Sequence, residues 1–135
     1  MTAKEFLRGL RKTQAEIRAL SEQVAMLRAE AQGVQAVTLR DMPKGGTARD
    51  AAAAIAEALD LQAACAAQME DLMRRRQEAM AVITKIERSE LRSVLLLYYL
   101  GGKSWDQVAD ALNYSVRQTL RLHGEALLAF EAGCH

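Results

Sequence analysis

A chain of 135 residues that is 50% apolar but only 4% aromatic holds one domain, or two small ones, and buries little area per side chain; a long helical hairpin or an oligomer suits it better than a compact globule. A formal charge of +1 excludes both a strongly basic nucleic-acid tail and an acidic disordered region. No run of about 18 apolar residues occurs, the opening MTAKEFLRGLRK lacks a signal-peptide core, and Cys65 and Cys134 have no metal-ligand spacing, so a reducing, cytoplasmic setting, with no membrane partner, is expected.

Almost every segment reads as helix, because there is one proline and no strand-like alternation. From Thr2 to about Gln32, Leu10, Ile17, Leu20, Val24, Leu27 and Ala31 follow one another at heptad spacing. The stretch GVQAVTLRDMPKGGT, about 33–47, is expected to be a linker: Met42-Pro43 stops a helix and Gly45-Gly46 permits positive φ. Thr47, with Asp50 three residues on, is expected to cap a second long helix reaching Arg88. Its seam is read as Ile55, Leu59, Ala66, Met69, Met73, Met80 and Ile83, with at least one of Arg74, Arg75 and Arg76 packing its stem along it. Cys65 is expected to be a small buried or half-buried thiol. Two such helices fold back on each other or pair between chains; a hairpin that also forms a homo-oligomer is favoured.

SELRSVLLLYYLGG begins a third segment, with Ser89 expected as its cap and Gly101-Gly102 as its end. Leu91, Val94, Leu95, Tyr98 and Tyr99 make it too apolar to stand alone on a surface. Two further helices are predicted at about 105–112 and 116–131, because Ser104-x-x-Gln107 and Ser115-x-x-Gln118 are both capping boxes. Only Asn113, Tyr114 and the cap Ser115 separate them, which forces the sharp crossing of a helix-turn-helix. Asn113 tolerates the left-handed conformation. Val108, Leu112, Tyr114, Thr119, Leu122, Ala126 and Leu127 are read as facing inward. The chain is therefore predicted to be all-α, with a helical hairpin or coiled coil at 1–88 and a three-helix domain containing the helix-turn-helix at 89–135.

The 3.6 period turns Val116, Arg117, Gln118, Leu120 and Arg121 outward at the start of the last helix. Arg grips a guanine edge and Gln an adenine edge with paired hydrogen bonds. Ser115 and the first amides suit a phosphate, and Lys103 and Ser104 can meet backbone from the preceding helix. His123 is read as a surface residue or phosphate neighbour, and Gly124 as a point of close approach for another helix. Charge tempers this: residues 89–135 hold four Lys/Arg against five Asp/Glu, whereas 1–46 hold eight against five.

LLLYYLGGKSWDQVADALNYSVRQTLRLHGEAL resembles region four of bacterial sigma factors, and more closely the small phage and prophage regulators of late transcription that share this region. The resemblance extends to the coiled coil, MPKGG and the second long helix, so it covers most of the chain. It implies a DNA-binding transcription regulator with double-stranded DNA and RNA polymerase as partners, Ser115 as cap and phosphate contact, Val116, Arg117 and Gln118 as the base-facing turn, and Arg121 one turn on. Val116 stands where sigma factors often place a charged or polar reader, and the DNA-melting regions of a full sigma factor are missing. A phage packaging protein of the small-terminase type and a coiled-coil adaptor that binds protein remain alternatives. An enzyme is not expected. There is no phosphate-binding glycine loop, no nucleophile–base set, no metal-spaced cluster, and nothing that calls for a cofactor or a small-molecule substrate.

Overall fold

The computed structural model describes residues 1–41 and 45–134, with side chains outside 34–50. Among the described residues the fold is all-α: α1 (Ala3–Asp41), α2 (Gly45–Ile83), α3 (Ser89–Leu95) with a π-helical extension at Leu96–Leu100, α4 (Trp105–Leu112) and α5 (Val116–Gly133). No helix among them is long and apolar enough to cross a membrane. The chain forms two compact units, Met1–Ala15 with Asp71–His135, and Glu16–Glu70.

In the unit Glu16–Glu70, α1 and α2 run antiparallel. The Cys65 thiol approaches both the Ser21 hydroxyl (3.5 Å) and the Ile17 carbonyl (4.0 Å), and Arg28 donates to Gln62 further along. The seam of α1 is the predicted one, with Ile17, Leu20, Val24 and Leu27 half-buried and Ala31 buried. That of α2 is not. Every seventh residue from Ala51 is buried (Ala51, Ala58, Cys65, then Leu72, Ala79 and Ile86), while the expected Ile55, Leu59, Ala66, Met69, Met73 and Met80 are exposed. Alanine and cysteine let the backbones approach, so the larger α1 side chains fill the space their small neighbours leave. The methionine-rich stripe is one position round the helix and faces out.

The helix limits also differ from expectation. α1 continues through the expected linker from Gly33 to Asp41, since one glycine costs only about 1 kcal/mol, too little to stop a helix already under way. α2 opens at Gly45, two residues before the expected cap Thr47, whose side chain, like Met42-Pro43, lies outside the described residues. It ends at Ile83 rather than Arg88, where the Thr84 hydroxyl donates to the Met80 carbonyl and the Arg92 guanidinium takes the carbonyls of Ile86 and Glu87. Arg88, not Ser89, stands at the cap position of α3, and its side chain makes no capping bond. A capping box at the other terminus, Thr2 with Glu5, opens α1, each amide donating 3.1 Å to the other's side chain.

The core of the unit Met1–Ala15 with Asp71–His135 is built from Leu7, Leu10, Ile83, Val94, Leu95, Tyr99, Val108, Thr119 and Phe130, all fully buried or nearly so. The first turns of α1 belong to this core. Phe6 stacks on Phe130 at 6.2 Å, the Ala3 amide donates to Glu131 at 2.8 Å, and the Gln14 amide group donates to the Leu100 carbonyl at 2.9 Å. Arg75 occupies a seam position, paired with Asp71 at 3.1 Å, and a β-carbon at Gly9 would stand 3.2 Å from its guanidinium, so glycine leaves the arginine room. The predicted packing of an arginine stem along the seam is met by Arg75, while Arg74 and Arg76 are exposed.

Candidate nucleic-acid interface

α4 ends and α5 begins within three residues. Asn113 adopts the left-handed conformation (φ 60°), the Tyr114 amide reaches back to the Ala109 carbonyl at 3.0 Å, and the Asn113 amide to Asp110 at 3.3 Å. This is the two-bond closure that glycine usually provides; asparagine supplies it here as the sequence predicts. Both capping boxes are formed. Ser104 Oγ accepts from the Gln107 amide (3.2 Å) and Gln107 Oε1 from the Ser104 amide (3.0 Å); Ser115 Oγ accepts from the Gln118 amide (3.1 Å) and Gln118 Oε1 from the Ser115 amide (3.4 Å). Val108 and Ala109 of α4 and Thr119 and Ala126 of α5 are buried, and the Thr119 hydroxyl donates to the Ser115 carbonyl at 2.9 Å. A threonine is thus a sound core residue at this position.

All seven predicted contact residues, Lys103, Ser104, Ser115, Val116, Arg117, Gln118 and Arg121, are exposed. The first-turn amides of Val116 and Arg117 have no partner among the described hydrogen bonds, so they remain available to an external acceptor. Neither Arg117 nor Arg121 has a salt-bridge partner among the described residues. Glu125, one turn after Arg121, pairs instead with Arg88 at 3.2 Å, and Arg88 also holds Glu90 at 2.8 Å, keeping the Glu90 carboxyl below its ordinary range. Gln118 is partly committed to its cap and must leave Ser115 to read a base. Val116 (37% exposed) and Leu120 (45%) add apolar surface of the kind that meets a thymine methyl.

Three inward or outward expectations change. Tyr114 is exposed, beside a shallow groove lined by Arg88, Gln118 and Arg121, because the tight turn carries it past the helix crossing. His123 is half-buried, not a surface residue; its Nε2 is 2.6 Å from the Tyr99 hydroxyl, and burial, then Lys4 and Arg8, push its pKa down. Among the described residues nothing lies within 4 Å of the place the β-carbon of Gly124 would take, so none of their helices approaches it closely.

A further group was not legible in the sequence. Tyr98 stacks on Trp105 at 3.7 Å, the Arg11 guanidinium lies over the Tyr98 ring at 4.0 Å from its centre, and it donates to the Lys103 carbonyl at 3.2 Å. The stack ties α1 to the loop that opens α4. It joins residues 92 positions apart, so no local spacing announces it. Charge is redistributed by the same packing: Met1–Ala15 with Asp71–His135 carries thirteen Lys/Arg against nine Asp/Glu, and Glu16–Glu70 five against eight. No group of three or more His, Cys, Asp or Glu able to hold a metal is present among the described residues.

No curated protein and no solved structure matches the chain. Residues 35–131, the end of α1, all of α2, α3 and α4 and most of α5, match the model of one family, and the chain therefore belongs to the family described as "Protein of unknown function (DUF1492)".

Proposed function

We propose that the protein is a DNA-binding regulator of transcription, of the phage type that resembles sigma region four, which inserts the first turns of α5 into a major groove. The observation that carries this reading is a doubly capped, tightly crossed helix pair whose second helix leads with exposed Arg117, Gln118 and Arg121, the arginines free of carboxylate partners among the described residues. In this reading Arg117 and Arg121 read base edges, Gln118 exchanges its cap bond for an adenine, and Ser115, Ser104 and Lys103 meet phosphates. The surplus of positive charge in the unit that holds α5 supports it. RNA polymerase is the partner to which such a regulator responds.

Oligomerisation through a second copy belongs to the same proposal. In the unit Glu16–Glu70, Ile55, Leu59 (57% exposed), Ala66 and Met69 (47%) repeat on the outer face of α2 at coiled-coil spacing. Two copies of one such face match in spacing, and paired readers suit paired half-sites.

Binding-site selection with the intact protein, repeated with Arg117→Ala and Arg121→Ala, tests the DNA reading. Each variant is expected to lose preference at one base position, by about 1–3 kcal/mol. Unchanged enrichment in both overturns it and favours the protein-binding adaptor, a reading supported by exposed Tyr114, Val116 and Leu120.

A further inference from the structure

We infer that the first turns of α1 form a second, sequence-independent DNA contact, in which Arg8, Arg11 and Lys12, beside Lys103 at the start of α4, hold the phosphate backbone that flanks the major-groove site. The inference rests on the DNA reading of α5 and adds residues from a helix that lies almost wholly before that motif and its family match.

Lys4, Arg8 and Arg11 recur every four, then three residues, so they share one face of α1, next to the buried stripe of Ala3, Leu7 and Leu10. That face lies against the C-terminal helices. Arg11 reaches the Lys103 carbonyl and the Tyr98 ring, and Lys4 and Arg8 are close enough to His123 on α5 to disfavour its charged form. Lys12 follows Arg11 and is exposed.

A row of cations is often no more than a solvated surface. Two observations set this row apart. Arg11 is held from two sides, by the ring of Tyr98 and by a carbonyl, so its guanidinium is fixed before any ligand arrives. And the row is unpaired, unlike Arg74 and Arg75, which pair with Asp71, and Arg88, which pairs with Glu90 and Glu125. Lys4, Arg8, Arg11, Lys12 and Lys103 have no carboxylate within salt-bridge distance among the described residues, and Glu5, the acid beside them on α1, is occupied at the Thr2 cap. Unpaired cations beside the loop that precedes α4 are what a polyanion running along the outside of the helix pair would meet.

The test compares full-length Arg8→Gln/Lys12→Gln with Arg76→Gln/Lys85→Gln, which removes the same charge from exposed positions outside the proposed row. Binding to the selected site and to a random duplex is measured across salt concentrations. Removing two phosphate contacts is expected to flatten the slope of log K against log salt by about 2 and to weaken both duplexes by roughly tenfold or more near 0.1 M salt. The ratio between the two duplexes should stay unchanged, and the control pair should follow the parent protein. An unaltered slope in Arg8→Gln/Lys12→Gln, with base preference still lost in Arg117→Ala, overturns the α1 contact alone. Equal weakening in the control pair overturns it as well. Failure of the parent protein to bind either duplex at low salt overturns both readings.

Discussion

The 2.6 Å contact between Tyr99 and His123 joins two groups whose neutral forms the fold favours. Burial, then Tyr98, pushes the Tyr99 phenol up to about 12, and burial, then Lys4 and Arg8, pushes His123 down. In the neutral tautomer that carries its proton on Nδ1, the ring accepts at Nε2 and the phenol donates. Because His123 takes a proton less readily folded than unfolded, its contribution to stability is present above the ordinary histidine range and is lost as pH falls through that range toward the lowered value. For Tyr99 the contribution is present below the ordinary phenol range and is lost as pH rises from about 10 toward about 12. Urea unfolding followed by the single tryptophan, Trp105, whose ring lies 4.6 Å from that of His123, is expected to show stability falling on acidification below about pH 6.5. His123→Gln should flatten that limb; an identical acid slope in the variant would assign it to other groups.

At the scale of the helix, α2 shows what a hydrophobic pattern can and cannot reveal. Its period was legible and its phase was not. Weighting side chains by size selects Ile55, Leu59, Met69, Met73 and Met80, yet the close-packed face is carried by Ala51, Ala58, Cys65 and Ala79, whose value is their smallness. By contrast α4 and α5 were legible nearly to the residue, because capping boxes and the left-handed Asn113 are local chemistry that survives any tertiary context. The two faces of α2 should respond oppositely to mutation. Ala58→Leu is expected to destabilise the fold by about 1–3 kcal/mol in chemical denaturation, through overpacking. Leu59→Glu/Met69→Glu should leave helicity unchanged while lowering the mass found by sedimentation equilibrium, and a concentration-independent monomer in the parent protein would remove the second-copy proposal. A ring of about eight or more subunits would instead move the reading toward packaging.

For the whole molecule, the compact unit that contains α5 recruits both the first residues of α1 and the end of α2. Sequence alone sets a boundary near Arg88 because helix pairing there is long-range, carried by contacts such as Phe6 on Phe130 and Gln14 on Leu100. Burying Leu7 and Leu10 contributes roughly 1.5–3 kcal/mol each, a large share of the 5–15 kcal/mol typical of a domain. A fragment of residues 89–135 is therefore expected to show weak near-UV dichroism and no cooperative melt, and adding residues 71–88 without α1 should not restore either. Finally, the widened turn at Leu96–Leu100, closed by a 2.7 Å bond from the Gly101 amide to the Leu96 carbonyl, acts as an angular gauge for everything downstream. Excising one residue there would return the helix to ordinary winding with the outgoing chain turned only slightly, whereas inserting one would swing it by about 100°, parting Tyr98 from Trp105. Length changes should be tolerated far less in those five residues than at the exposed ends.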